Sequence, residues 1–106
     1  MEYLQYEFQG TGQPKLFRSA VLAGVVSSGN LEVLIEAADL NGRCSVEVRT
    51  SAQGYSDIWR AVLNDFAVRH DLSNLQISIN DGGATPAVVS LRLDQAIEEY
   101  AEPRHD

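Results

Sequence analysis

A chain of 106 residues, 44% of them hydrophobic, is long enough for one domain with a modest core and too apolar for a disordered segment. Its 15 acidic and 8 basic residues leave a net charge of −7, which argues against the cationic surface that nucleic-acid binding requires and suits docking on basic partners. Cys44 is the single cysteine, so neither an intrachain disulfide nor a cysteine-based metal cluster can form. Met1-Glu2-Tyr3 does not begin a basic-then-apolar leader, and no apolar run approaches the roughly 18 residues of a membrane helix, so a cytoplasmic location without membrane contact is expected.

Taken in order, Leu4, Tyr6 and Phe8 alternate with polar residues, which predicts a strand with one apolar face. Gly10-Thr11-Gly12-Gln13-Pro14 breaks that period and reads as a loop. The continuous small apolar run Val21–Val26 fits a strand buried on both faces. Ser27-Ser28-Gly29-Asn30 follows, a hairpin turn by its Gly and Asn. Leu31, Val33, Ile35 and Ala37 then share one strand face, with Glu32 and Glu36 on the other. After the turn Asp39–Gly42, Cys44, Val46 and Val48 alternate with Ser45, Glu47 and Arg49. Short connections predict that Val21–Thr50 is a three-stranded antiparallel meander.

The period then changes. Tyr55, Ile58, Trp59, Val62, Leu63, Phe66 and Ala67 recur at helical spacing, with Asp57 near the helix start and Arg69 and His70 near its end, as the macrodipole favours. Asp65 and Arg69 stand four apart for a surface pair. Leu75, Ile77 and Ile79 predict a last strand, ended by Asp81-Gly82-Gly83. Thr85-Pro86 is an N-cap with proline at the first helical position, opening a second helix with Val89, Leu93, Ala96, Ile97 and Tyr100 as its apolar stripe. Pro103 ends it, and 102–106 reads as a frayed tail. The order β, β-β-β, α, β, α predicts a single α+β domain over residues 1–106: two layers, a mainly antiparallel sheet with two helices packed on one face.

Catalytic patterns are missing from the sequence. Gly82-Gly83 has no lysine behind it to make a phosphate loop, and Ser27-Ser28 lack the glycine spacing of a nucleophile elbow. A Ser-His-Asp triad would need His70, at a helix end, or His105, in the tail. Two distant histidines without a cysteine pair make only a weak metal site. Cys44, alternating with polar residues on a strand, reads as a small buried hydrophobe. Asp94, Glu98 and Glu99 read as the solvated face of the last helix, and Trp59 as core. Lysine-borne carriers present lysine at a hairpin tip, whereas the only lysine here, Lys15, lies in the Gly/Pro loop. Ordinary acyl carriers are all-helical with Asp-Ser-Leu at a helix start, which is absent. What remains is a serine at a hairpin tip, equally readable as a plain turn residue.

The segment Val21-Leu-Ala-Gly-Val-Val-Ser-Ser-Gly-Asn-Leu-Glu-Val-Leu-Ile35 closely resembles the acyl carrier (δ) subunit family of malonate decarboxylase, where Ala-Gly-Val-Val-Gly-Ser-Gly-Asp-Leu-Glu-Val-Leu-Leu surrounds a modified serine. The likeness continues through Val48–Ser51, Gly54-Tyr55, Ile58–Leu63, Gly83–Pro86 and Leu91–Leu93; the citrate lyase carrier (γ) subunit is a more distant relative. The resemblance implies a non-catalytic carrier with 2'-(5''-phosphoribosyl)-3'-dephospho-CoA joined to Ser28 by a phosphodiester and presented by Gly29 and Asn30. A holo-carrier transferase would install the group. An acyl-transferase subunit would exchange acetyl for malonyl on its thiol, and decarboxylase subunits would release CO₂. Ser27 stands where the family commonly has glycine, and Asn30 where it has aspartate. The alignment selects Ser28, and strand neighbours point to opposite faces. The alternatives are the carrier of a citrate-lyase-like complex and a non-catalytic protein-interaction module.

Overall fold

The computed structural model describes residues 1–10, 20–25 and 30–101, without the side chains of 20–25 and 101. Five strands and two helices follow in the predicted order: β1 (Glu2–Gln9), β2 (Ala20–Val25), β3 (Leu31–Ala37), β4 (Arg43–Thr50), α1 (Ser56–Arg69), β5 (Leu75–Asp81) and α2 (Pro86–Ala101). The strands form one sheet in the order β1-β4-β5-β3-β2. Three of its pairings are antiparallel; β4 and β5 run parallel.

This order corrects the predicted meander. β2 and β3 do form a hairpin, with Val25 opposite Leu31, but β5 lies between β3 and β4. Residues 38–42 pass over the start of β5. Two strand spacings are about 10 Å, well within reach of such a link, so a short connection does not require adjacent strands. Asn74 holds the crossing. Its amide N–H donates to Arg43 O and its carbonyl accepts from Ala38 N–H, while its Oδ1 accepts from Leu40 N–H at 3.0 Å and Gly42 N–H at 2.9 Å. Asn74 does this at φ 58°, left-handed backbone that asparagine tolerates better than most residues. The parallel β4–β5 pair is possible because α1 supplies the crossover between them.

One face of the sheet is apolar. Val33, Ile35, Val46, Val48, Ile77 and Ile79 are fully or almost fully buried, and the register sets Val33 and Val48 on either side of Ile79. Trp59, Leu63 and Phe66 of α1 and Val89, Leu93, Ala96, Ile97 and Tyr100 of α2 close the core over that face. α2 lies along β2 and β3, and α1 against α2 and β1, so both helices share one face as expected. Asp65 pairs with Arg69 at 2.9 Å, and Thr85 Oγ1 accepts from Val88 N–H to cap α2. The outer sheet face carries the half-buried Glu32, Leu34 and Glu36.

Two expectations about the helices need amendment. Tyr55 and Ile58 belong to the apolar period of α1 yet are 48% and 45% exposed, since they stand at the helix end where they border a hollow. Asp94 is not simply solvated: its carboxylate takes two Arg69 hydrogen bonds, at 2.7 and 2.8 Å, and lies 3.0 Å from His70 Nε2. It therefore ties α2 to the end of α1. The predicted loop over 11–14 and tail over 102–106 lie outside the described residues, as does Val26.

Gly10 is the tightest backbone approach. A Cβ there would stand 2.1 Å from Ser73 Oγ and 2.2 Å from the Gly42 carbonyl, while Gly10 N–H donates to that same carbonyl at 2.9 Å. Gly10→Ala should therefore lower stability by about 1–3 kcal/mol, the usual range for overpacking, read as a lower urea midpoint with an unchanged slope. An unchanged midpoint would show that the Gly10–Gly42 contact yields freely.

Candidate functional site

The site region lies at the end of the sheet where β4 and β5 finish and β3 begins. Thr50 and Asp81 are paired in the parallel register there, and both are buried. Thr50 Oγ1 donates to Asp81 Oδ2 at 2.8 Å and accepts from Ala52 N–H. Asp81 Oδ1 accepts from Gly83 N–H at 3.1 Å and Ala84 N–H at 2.8 Å. The chain is thus turned sharply from β5 towards α2 around one carboxylate, with Gly83 at φ 113°, where a Cβ would be strained. Such charge-assisted bonds are stronger than neutral ones, and they satisfy a carboxylate that burial would otherwise penalise.

The same turn holds the entry to β3. Gly82 N–H donates to the Asn30 carbonyl at 2.7 Å, so the residue that ends the β2–β3 connection is bonded to the Asp81 turn. Asn30 itself is exposed. It borders a hollow of about 150 Å³ with Leu31, Gly83, Ala84, Thr85, Val88 and Arg92. Gly83, Ala84 and Thr85 also line a second, larger hollow of about 290 Å³ between the starts of α1 and α2, whose walls include Tyr55, Ile58, Trp59 and Val62.

Of the three residues predicted for group attachment and presentation, Ser28 and Gly29 lie outside the described residues, as does the competing Ser27, and Asn30 is placed as above. Lys15 and His105 also lie outside them. The nearest described residues are Val25, paired with Leu31 across β2 and β3, and Asn30, whose carbonyl accepts from Gly82 N–H in the Asp81 turn. His70 is taken up by Asp94 and the Phe66 ring, at the opposite end of the 14-residue α1 from Tyr55, some 20 Å away at the helical rise. Cys44 is fully buried, and burial pushes its thiol up to about 12. Among the described residues no group of three or more metal-ligating side chains converges, and no helix is long and apolar enough to cross a membrane. Sequence reasoning passed over Asp81 and Thr50. An Asp followed by Gly-Gly is the available signal, since a short carboxylate bonds its own backbone two residues on.

Fold and site together define a small two-layer α+β domain with two neighbouring hollows at one sheet end, one of them bordered by Asn30. The malonate decarboxylase delta subunit (MdcD) family model, an ACP family, matches residues 18–100. The chain is 55% identical over 106 residues to the malonate decarboxylase acyl carrier protein of Stenotrophomonas maltophilia strain K279a, covering 98% of this chain and 100% of that one. It is 56% identical over 101 residues to the protein of that name from Burkholderia cepacia, covering 95% and 92%. Its fold matches a chain in the crystal structure of a Pseudomonas malonate decarboxylase hetero-tetramer in complex with malonate, with a TM-score of 0.81, 42% identity, and coverage of 94% and 99%. The chain belongs to the malonate decarboxylase acyl carrier (delta subunit) family.

The burial of Cys44 has a direct consequence. Its thiol should resist Ellman's reagent in the native protein at pH 8 and react at once in denaturant, because only the thiolate attacks and burial disfavours it. Rapid native labelling would place Cys44 at an opening not seen in this fold.

Proposed function

We propose that this chain is the acyl carrier subunit of a malonate decarboxylase, with the phosphoribosyl-dephospho-CoA group on Ser28. The observation that carries the reading is the end-to-end likeness to acyl carrier proteins of malonate decarboxylase, 55% identical over 98% of this chain and all of the relative. The residues around the connection suit the group. Asn30 is exposed, and Val25 and Leu31 pair at the sheet end beside the Asp81 turn. When bound, the group supplies a thiol on which acetyl and malonyl are held as thioesters.

The chain's own part in this is presentation. The β2–β3 pairing sets Val25 opposite Leu31, and the bond from Gly82 N–H to the Asn30 carbonyl holds the entry to β3. Among the described residues, 19 buried apolar side chains form one close-packed platform. Acid–base work belongs to partner subunits: an acyl transferase, the decarboxylase subunits, and the holo-carrier transferase that installs the group. An acidic chain of net charge −7 fits docking on basic surfaces of such partners. We place the whole of residues 1–106 in one carrier domain working in the cytoplasm.

Co-expression with the holo-carrier transferase, followed by intact mass measurement, tests this reading. A single adduct of the prosthetic group's mass should form on the wild type and on Ser27→Ala, and disappear in Ser28→Ala. An adduct that survives Ser28→Ala and is lost in Ser27→Ala would move the site by one residue. Absence of any adduct would favour a plain interaction module.

A further inference from the structure

The 290 Å³ hollow has no part in attachment, and its chemistry is distinct. Its walls are mainly apolar: Trp59 and Val89, 6% and 3% exposed, lie at its buried side, while Tyr55 and Ile58 stand half-exposed at its rim, beside Val62 and Pro86. Among its lining residues the one charged side chain is that of Asp81, a residue only 8% exposed. The smaller hollow at Asn30 shares Gly83, Ala84 and Thr85 with it, so the two are neighbours across a single turn, leading from the end of the attachment connection to the apolar chamber. Its volume lies at the lower end of small-ligand pockets, about 300–1,000 Å³, which is room for a short acyl group and its thioester and little more.

We propose that this hollow is a resting site for the acetyl-thioester end of the chain's own arm, and that it discriminates against the malonyl-thioester end. The proposal rests on the carrier reading above. Acetyl is small and neutral, so burying its methyl against Trp59, Ile58 and Val62 gains apolar contact and leaves no charge unpaired. Malonyl adds a carboxylate, which would have to enter a mainly apolar hollow whose one charged wall group is the Asp81 carboxylate. Like charges in such surroundings repel far more strongly than in water. Arg92 borders the Asn30 hollow and not this one, so no cation in its lining offsets that repulsion. Tethering matters as well. A flexible arm holds its end at an effective concentration in the millimolar range, so a site too weak to capture free ligand would still be filled by the chain's own arm. The acetyl form would then be sheltered from water between cycles, and the malonyl form released for its partners.

The full chain in its apo form can be titrated with S-acetylpantetheine and S-malonylpantetheine while methyl and indole signals are followed by NMR; Trp59, the single tryptophan, gives an unambiguous probe. The acetyl compound should shift the Trp59 indole and the methyls of Ile58, Val62 and Val89, with the malonyl compound about tenfold weaker, a difference of about 1.4 kcal/mol. No shift at these groups up to about 10 mM acetyl compound, above the millimolar effective concentration of a tethered arm, would overturn the proposal, as would equal shifts from both compounds. Ile58→Glu, at a rim position 45% exposed, should abolish the acetyl shifts and leave the core methyl spectrum intact. On the loaded protein, hydroxylamine should strip acetyl several-fold faster from Ile58→Glu than from wild type and malonyl at the same rate from both; equal acetyl rates would count against the site. If no adduct forms on the chain at all, the carrier reading fails, and the free-ligand titration still decides the hollow on its own.

Discussion

The Asp81 carboxylate is the interaction on which the candidate functional end of this molecule depends. Both oxygens are used: one receives the Thr50 hydroxyl, the other the Gly83 and Ala84 amides. Through its own backbone carbonyl the same residue takes Ser51 N–H, and the next residue reaches the Asn30 carbonyl. Asp81, by side chain and backbone, thus joins the end of β4, the end of β5 and the turn into α2, and its neighbour Gly82 adds the start of β3. Hydrogen bonds to a charged group contribute about 1.5–3 kcal/mol each, so this knot is strong relative to the stability of a domain of this size. An apolar side chain at position 81 would leave a buried hydroxyl and two amides to find other partners.

Asn74 does the corresponding work at the opposite end, where it closes the link from β3 to β4 over the start of β5. The Asp94 carboxylate, with Arg69 and His70, fastens the helices to one another at the far end of α1. The two ends of the molecule consequently differ in character. The far end is charged and tied. The near end, from Ala84 to Leu91 and at Tyr55 and Ile58, presents exposed apolar side chains and two hollows beside the connection.

Much of this was readable from local pattern. Strand alternation at Leu31–Ile35, Cys44–Val48 and Leu75–Ile79 and the 3.6-residue period of both helices gave the elements and the two-layer class, because burial on one face imposes those periods directly. Strand order was not readable. Insertion of β5 between β3 and β4 is a non-local choice, made by the α1 crossover and secured by Asn74, and neither leaves a periodic trace. Exposure of Tyr55 and Ile58 was invisible for a related reason: periodicity shows which face is apolar, not how far the opposing surface extends beneath it. Asp81 and Asp94 read as turn and surface residues because their partners, Thr50 and Arg69, are 31 and 25 residues away. Ser28 was singled out by family resemblance alone, and it lies outside the described residues.

Amide hydrogen exchange on Asp81→Ala tests most directly whether one carboxylate organises the functional end. The Gly82, Gly83 and Ala84 amides should exchange at least about tenfold faster than in the wild type, a loss of local protection of about 1.4 kcal/mol or more, while Ile77 and Ile79 in the middle of β5 keep most of theirs. Unchanged protection at Gly82–Ala84, in a variant that is otherwise folded, would contradict the account and show that the turn and the Asn30 anchor stand without Asp81.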